Sequence, residues 1–198
     1  MSARMHRGPQ PLPLTLVLRQ RGTLIRQGVP GDGLWLVESG ALRVGAISDT
    51  GRELVLDVLG PGEAAGELPG VSSPVTVRAL RPSRLTPVTH RAAADLLTTR
   101  AHRAAALGAD LAWLSVRSRV ARRLEDLAER FGRPVEGGRL ILLPLTQDEV
   151  AALAGTTRES ANRAVRGLVA DGSIRVAARG RYVVRTRVHE LHRVGSEP

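Results

Sequence analysis

From about residue 14 to 89, apolar and polar residues alternate in short runs set off by glycine-bearing stretches: LIRQG, VPGDG, LWLV, ESG, ALRVGAI, SDTG, RELVLDVL and GPGE. In ALRVGAI the residues Leu42, Val44 and Ala46 share one face, and in VTVRAL the residues Val75, Val77 and Ala79 do the same. A period of two with regularly spaced turns predicts short strands closing into an antiparallel barrel or roll. From about residue 90 the period changes to that of a helix. HRAAADLLTTRAHRAAALGADLAWL repeats Leu97, Ala104 and Leu111, with Leu107 and Leu114 in the companion position and Arg100 as a polar exception. Gly108 weakens that helix by about 1 kcal/mol relative to alanine. The seam is one that a twin helix could cover.

Ser115 is placed to cap a second helix, whose apolar face is Val120, Leu124, Leu127 and Phe131 and which Gly132 and Pro134 stop. A short hairpin, RPVEGG and RLILLPL, follows. The expected organisation is α+β: an N-terminal antiparallel β-roll or barrel over residues 14–91, a long helix over 92–114 with a seam that could serve dimerisation, a winged helix-turn-helix over 115–186, and a tail over 187–198.

The helix-turn-helix is read from LTQDEVAALAGTTRESANRAVRGLVADGSI. Thr146 and Glu149 have capping-box spacing, so a brief helix opens at Gln147 and turns Val150, Leu153 and Ala154 inward. Gly155 permits a sharp turn, and Thr157 caps a second helix with Ala161, Ala164, Val165 and Leu168 inward. Ala151, Gly155 and Ala161 are the small positions that two closely crossing helices need. Arg158, Glu159, Asn162, Arg163 and Arg166 point outward, the first of them at the helix end that enters a major groove. There an arginine can hold guanine O6 and N7 and a glutamate can accept from cytosine N4, each pair giving about 1 to 3 kcal/mol of discrimination. After Gly172, IRVAA, RGR and YVVRT form a hairpin with Arg179 and Arg181 at its tip, a wing suited to phosphate.

Composition sharpens this picture. Apolar residues make up 42% of the 198 and aromatics only 2%, so the core is built of leucine, valine and alanine. All 29 basic residues are arginine and the net charge is +10. Residues 1–99 hold 11 arginines against 8 acids and residues 100–198 hold 18 against 11, so the excess lies toward the candidate DNA-binding half. With no cysteine there is no disulfide, thiolate zinc site, cysteine nucleophile or cysteine-ligated iron–sulfur cluster. The absence of a run of about 18 apolar residues or a signal-like start gives the expectation of a cytoplasmic protein without membrane contact.

The same stretch closely resembles the DNA-binding motif of the cyclic-AMP receptor protein and fumarate-nitrate regulator (Crp/Fnr) family of bacterial transcription factors. The run from GDGLWLVESGALRV through GRELVLDVLGPGEAAGEL to VTVRAL resembles that family's cyclic-nucleotide-binding roll. The resemblance covers about residues 18–184. It implies that Arg158, Glu159 and Arg163 read bases, that Thr146, Thr157 and Ser160 touch phosphate, and that a homodimer reads a GTGA-like inverted repeat. The two recognition helices would sit roughly 34 Å apart, one DNA turn. Double-stranded DNA and a second copy of the chain are the implied partners, with RNA polymerase as a further candidate.

The roll departs from the family pattern. Gly66 and Glu67 match the pair that contacts the ribose, but the Arg-Ser pair that grips the cyclic phosphate falls on Ser73 and Pro74. Proline offers no amide and serine no charge. Two hydroxyl residues that reach the purine fall on Ala104 and Ala105. The expectation is therefore no cofactor, and no cyclic AMP bound in the family's usual manner. His6, His90, His102, His189 and His192 form no close pair inside the roll and do not suggest haem. Two alternatives stay open at this point: a regulator gated by another small ligand in the roll, and an architectural protein that coats DNA by charge. A roll-type enzyme would need a His/Glu cluster on the inner strands, which the sequence lacks.

Overall fold

A computed structural model describes residues 15–185. The N-terminal roll contains β1 (Leu16–Leu18), β2 (Thr23–Ile25), β3 (Gly33–Ile47), β4 (Glu53–Leu59), β5 (Ala64–Glu67) and β6 (Thr76–Val88). All pairings are antiparallel, in the order β1-β6-β3-β4, with β2 also on β6 and β5 also on β3. Ile25, Trp35, Val37, Leu42, Leu59 and Leu85 fill its interior. The period-two pattern sends these side chains to one face of the curved sheet.

Two expectations need correction. LWLV and ALRVGAI are not separate strands with a turn at ESG; they are one strand, β3, irregular in its pairing with β6 between Val37 and Leu42. Gly40 has φ +97° and lies against Pro82 O and the Ser83 side chain, so it supplies a bulge that bends the strand instead of reversing it. The second correction concerns the long helix, α1 (His90–Trp113), capped by Thr89 Oγ1 accepting from Ala92 N at 3.4 Å. Leu107 is buried in its own chain, Leu97 packs with Leu34, Ala64 and Ala93, and Leu111 lies against Gly155. The expected leucine seam thus faces the roll and the helix-turn-helix of the same protomer. What α1 turns outward is a stripe of small residues, Ala94, Ala101, Ala105, Gly108 and Ala112, ending at Trp113, which is 83% exposed. β3, β4 and β5 all touch α1, so the roll itself covers part of the helix.

The C-terminal unit begins with α2 (Val116–Phe131), capped by Ser115, and continues through β7 (Gly132–Val135), β8 (Gly138–Ile141), α3 (Gln147–Leu153), α4 (Arg158–Ala170), β9 (Ile174–Ala177) and β10 (Arg181–Val184). A four-stranded sheet runs β7-β8-β10-β9, with a 3-10 turn at Ala178–Gly180 between the last two strands. Its core is continuous with the roll: Ala41, Val55 and Val58 belong to the same buried cluster as Val120, Leu124, Leu153 and Leu168. Among the described residues no helix is long and apolar enough to cross a membrane.

Because Leu153 is buried where α3 meets β4, Leu153→Ala is expected to cost about 2–5 kcal/mol. Both units should still melt in one calorimetric transition, and two separated transitions would argue against the shared core.

Candidate nucleic-acid interface

The helix-turn-helix is held by local devices written into its sequence. Thr146 Oγ1 accepts from Glu149 N at 3.2 Å, and Thr146 N donates to Glu149 Oε2 at 2.6 Å, closing the capping box of α3. The chain turns at Gly155 with φ +58°; a Cβ there would sit 2.6 Å from Leu111 Cδ2 and 3.1 Å from Leu54 Cδ1. Glycine is needed at this point for both conformation and space. Thr157 Oγ1 then accepts from Ser160 N at 3.3 Å and opens α4. Ala151 and Ala161 are buried at the crossing, and Ala164, Val165 and Leu168 complete the inward face of α4.

The outward face of α4 carries the candidate contacts. Arg158, Glu159, Arg163 and Arg166 are exposed, and Asn162 and Ser160 are half-buried. The Arg158 side chain is 61% exposed and makes a long ion pair with Asp148, at 3.7 Å. Such a contact is worth little and leaves the guanidinium available. Glu159 accepts at its own amide and from the Thr157 hydroxyl, which holds its carboxyl below the usual glutamate range and keeps it an acceptor at neutral pH. Thr146 and Thr157 lie exposed at the starts of the two helices.

The wing is tied to the same unit: Gly180 O accepts from Leu145 N at 3.0 Å, just ahead of α3. Arg181 does not stand free at the tip. It begins β10, is half-buried, and its Nε donates to Ala178 O at 3.3 Å. Arg179 lies in the 3-10 turn, and its side chain falls outside the described residues, as do the tail from residue 186 and His189 and His192.

A set of buttressing arginines was not legible in the sequence. Arg119 Nε donates to Ala154 O at 2.8 Å and Arg123 Nε to Leu153 O at 3.2 Å, so α2 satisfies the orphan carbonyls at the end of α3. Arg139 does the same for α2, donating to Ala128 O at 2.8 Å and Gly132 O at 3.0 Å. In the sequence these residues look like ordinary solvated arginines. Only the fold brings them to a helix end.

Residues 15–100 match the model of the cyclic nucleotide-binding domain, and residues 118–194 match that of the Crp-like helix-turn-helix domain. The chain is 32% identical over 171 residues to the CRP-like cAMP-activated global transcriptional regulator of Mycobacterium tuberculosis, an alignment covering 78% of this chain and 76% of that protein. The chain belongs to the Crp/Fnr family. It is a DNA-binding regulator of that type, whose members act as dimers. CRP-like protein Clp of Xanthomonas euvesicatoria pv. vesicatoria is 31% identical over 190 residues, covering 83% of this chain and 80% of that one. Among solved structures, a CRP/FNR family regulator from Thermus thermophilus superposes with a TM-score of 0.75 at 26% identity, covering 86% and 92% of the two chains. The c-di-GMP responsive regulator CLP of Xanthomonas campestris gives 0.74 at 26%, covering 86% and 93%.

In this Crp/Fnr chain the residues aligned with the family's ligand cassette make contacts within the roll. Ser73 is buried, and its hydroxyl lies 2.9 Å from Val75 O and 3.4 Å from Glu67 Oε1. Gly66 has φ +126°, and a Cβ there would strike Gly33 O on the paired strand. Ala104 and Ala105 are exposed on α1.

Thr146→Ala should remove the α3 cap at a cost of roughly 0.5–2 kcal/mol. Amide exchange ought to quicken at Asp148, Glu149 and Val150 while the β-roll stays protected; uniform loss of protection would point to a global defect instead.

Proposed function

We propose that the regulator reads DNA sequence through Arg158, Glu159 and Arg163, with Thr146, Thr157, Ser160, Asn162, Arg166, Arg179 and Arg181 as phosphate-contacting or supporting residues. The observation that supports this reading is the division of α4: one side is sealed into the core by Ala161, Ala164, Val165 and Leu168, while arginines and a carboxylate at its N-terminal end are exposed. Arginine and glutamate there suit guanine and cytosine edges in the major groove. Two such helices in a two-fold dimer call for an inverted repeat, with GTGA-like half-sites, and RNA polymerase is a further partner. The reading assigns no catalytic step. A charge-driven architectural role is disfavoured because Glu159 stands on the reading face, where a phosphate backbone would repel it.

Cyclic AMP is not the ligand in the family's usual manner. The Ser73 hydroxyl is already engaged, Pro74 has no amide, and neither residue supplies a cation for a phosphate. Relatives of similar identity also differ in what they answer to: one is described as cAMP-activated and another as c-di-GMP responsive. No cofactor is required by this reading, and Gly66 and Glu67 serve the strand pairing first.

Selection of bound duplexes from random DNA tests the base-reading assignment and is expected to return a two-fold symmetric site. On that site Arg158→Ala should lose about 1 to 3 kcal/mol of binding and little on scrambled DNA. Equal losses on both would show that the residue contributes charge alone. Calorimetry with cyclic AMP should give no binding at micromolar concentration, and a micromolar isotherm would overturn the ligand assignment.

A further inference from the structure

Three residues of the C-terminal unit sit where their own helices disfavour them, and the fold brings the three together. Arg117 is a cation in the first turn of α2, at the positive pole of that helix, and no acid stands in that turn. Asp171 is an acid at the C-cap of α4, at the negative pole, and the last turn there carries no basic residue. Gly167 lies inside α4 without a positive φ to require it, at a position where alanine would hold the helix better. Across 54 positions of sequence, Arg117 Nη2 pairs with Asp171 Oδ2. The guanidinium reaches the carboxylate by lying over Gly167: a Cβ there would stand 2.6 Å from Arg117 Nη1 and 3.4 Å from its Cζ. Each charge thus neutralises the other at the pole where it is out of place, and the glycine makes the room. Asp171 Oδ1 accepts from Ser173 N at 3.0 Å, which holds the acid against the turn that follows α4.

Stability alone does not account for this arrangement. The two side chains are 40% and 37% exposed, and an ion pair so open to water contributes little to folding. What the pair adds is direction. α4 rests on its neighbours through Ala161, Ala164, Val165 and Leu168, and apolar contacts of this kind are not directional. We propose that Arg117 is a positioning residue for DNA recognition: seated over Gly167 and paired with Asp171, it fixes the tilt of α4 against α2 and so the way Arg158, Glu159 and Arg163 meet a major groove. At 1.5 Å per residue the helix is a lever of about 20 Å from Asp171 to Arg158, so a tilt of about 10° moves the reading end by roughly 3 Å. Hydrogen bonds to base edges do not survive a displacement of that size. The role of the three reading residues rests on the base-reading proposal above; the strap from α2 to α4 does not.

The test compares the full chain with Gly167→Ala, Arg117→Ala, Asp171→Asn and the Arg117→Ala/Gly167→Ala double variant, on the duplex returned by selection and on a scrambled one. Gly167→Ala changes no charge and favours the helix, so its melting temperature should hold or rise. Its affinity for the selected duplex should nevertheless fall by about five-fold or more, the lower bound of what one base-reading pair supplies, with no change on scrambled DNA. Asp171→Asn keeps an oxygen to cap Ser173. By charge alone it would strengthen binding to both duplexes, whereas loss of the strap weakens the selected one relative to the scrambled. In the double variant, alanine at 167 should add nothing to the loss from Arg117→Ala, because the group it displaces is gone. Wild-type affinity in Gly167→Ala, or additive losses in the double variant, would overturn the proposal. A second measurement needs no DNA: amide chemical shifts should move along α4 as far as Arg158 in both Gly167→Ala and Arg117→Ala, and changes confined to the last turn would overturn the tilt. If the wild-type chain shows no preference between the duplexes, the base-reading proposal fails and the amide shifts alone decide the strap.

Discussion

Two acidic residues of the roll, Asp57 and Glu63, are gripped by arginines from two different helices, and the relation of the roll to the DNA-binding unit depends on that grip. Arg103 of α1 donates to both Asp57 oxygens at 2.9 and 3.1 Å and pairs with Glu63. Arg130 of α2 reaches Asp57 at 3.2 Å, Glu63 at 2.8 Å and Asp126 at 3.0 Å, donates to Val58 O, and lies 5.2 Å from the centre of the Phe131 ring. Asp57 is only 7% exposed, and burial pushes its carboxyl up despite the arginines beside it. For Glu63 burial also acts upward, but the Gly60 amide together with Arg130 and Arg103 outweighs it and holds the carboxyl low. Groups so far removed from water depend on one another: removing one partner of a buried pair typically costs about 3–5 kcal/mol because the other is left uncompensated.

The network matters because of what lies on either side of it. Val55 and Val58 of β4, the strand that carries Asp57, enter the same apolar cluster as α2 and α3. α2 in turn closes the end of α3 through Arg119 and Arg123, and α3 sets the start of α4 across Gly155, whose backbone lies against Leu111 of α1. A chain of contacts therefore runs from the roll to the recognition helix through packed, hydrogen-bonded elements. A shift at β4 cannot leave α4 where it was without breaking a buried pair or opening the core.

Those features were unequally legible in the sequence. The helix-turn-helix could be read almost completely because its determinants are local: a capping box within four residues, one turning glycine, and a second cap, each of which acts the same way in any context. The roll could be read as a class but not strand by strand, since ESG has turn composition and only the approach of Pro82 and Ser83 to Gly40 makes it a bulge. The leucines of α1 can be read as a seam for a partner because a heptad does not say which surface covers it; in the fold Leu97 packs against the roll and Leu111 against the α3–α4 turn. The arginine network was invisible, because Asp57 and Glu63 lie at least 40 positions from Arg103 and Arg130, and an arginine on a helix reads as solvated until its partner is known.

The cassette positions show how the fold can account for a motif by itself. Gly66 does not need a ribose to explain it: the paired strand approaches so closely, and φ is so far into the left-handed region, that a side chain there would collide with Gly33. Glu67 accepts from the Ser73 hydroxyl. The strand pairing alone accounts for Gly66 and places Glu67 against Ser73, so the presence of the pair carries no information about a ligand. Ser73, too, has a role within the fold: it is buried, its hydroxyl bonds Val75 and Glu67, and its backbone pairs with Gly28 and Val29.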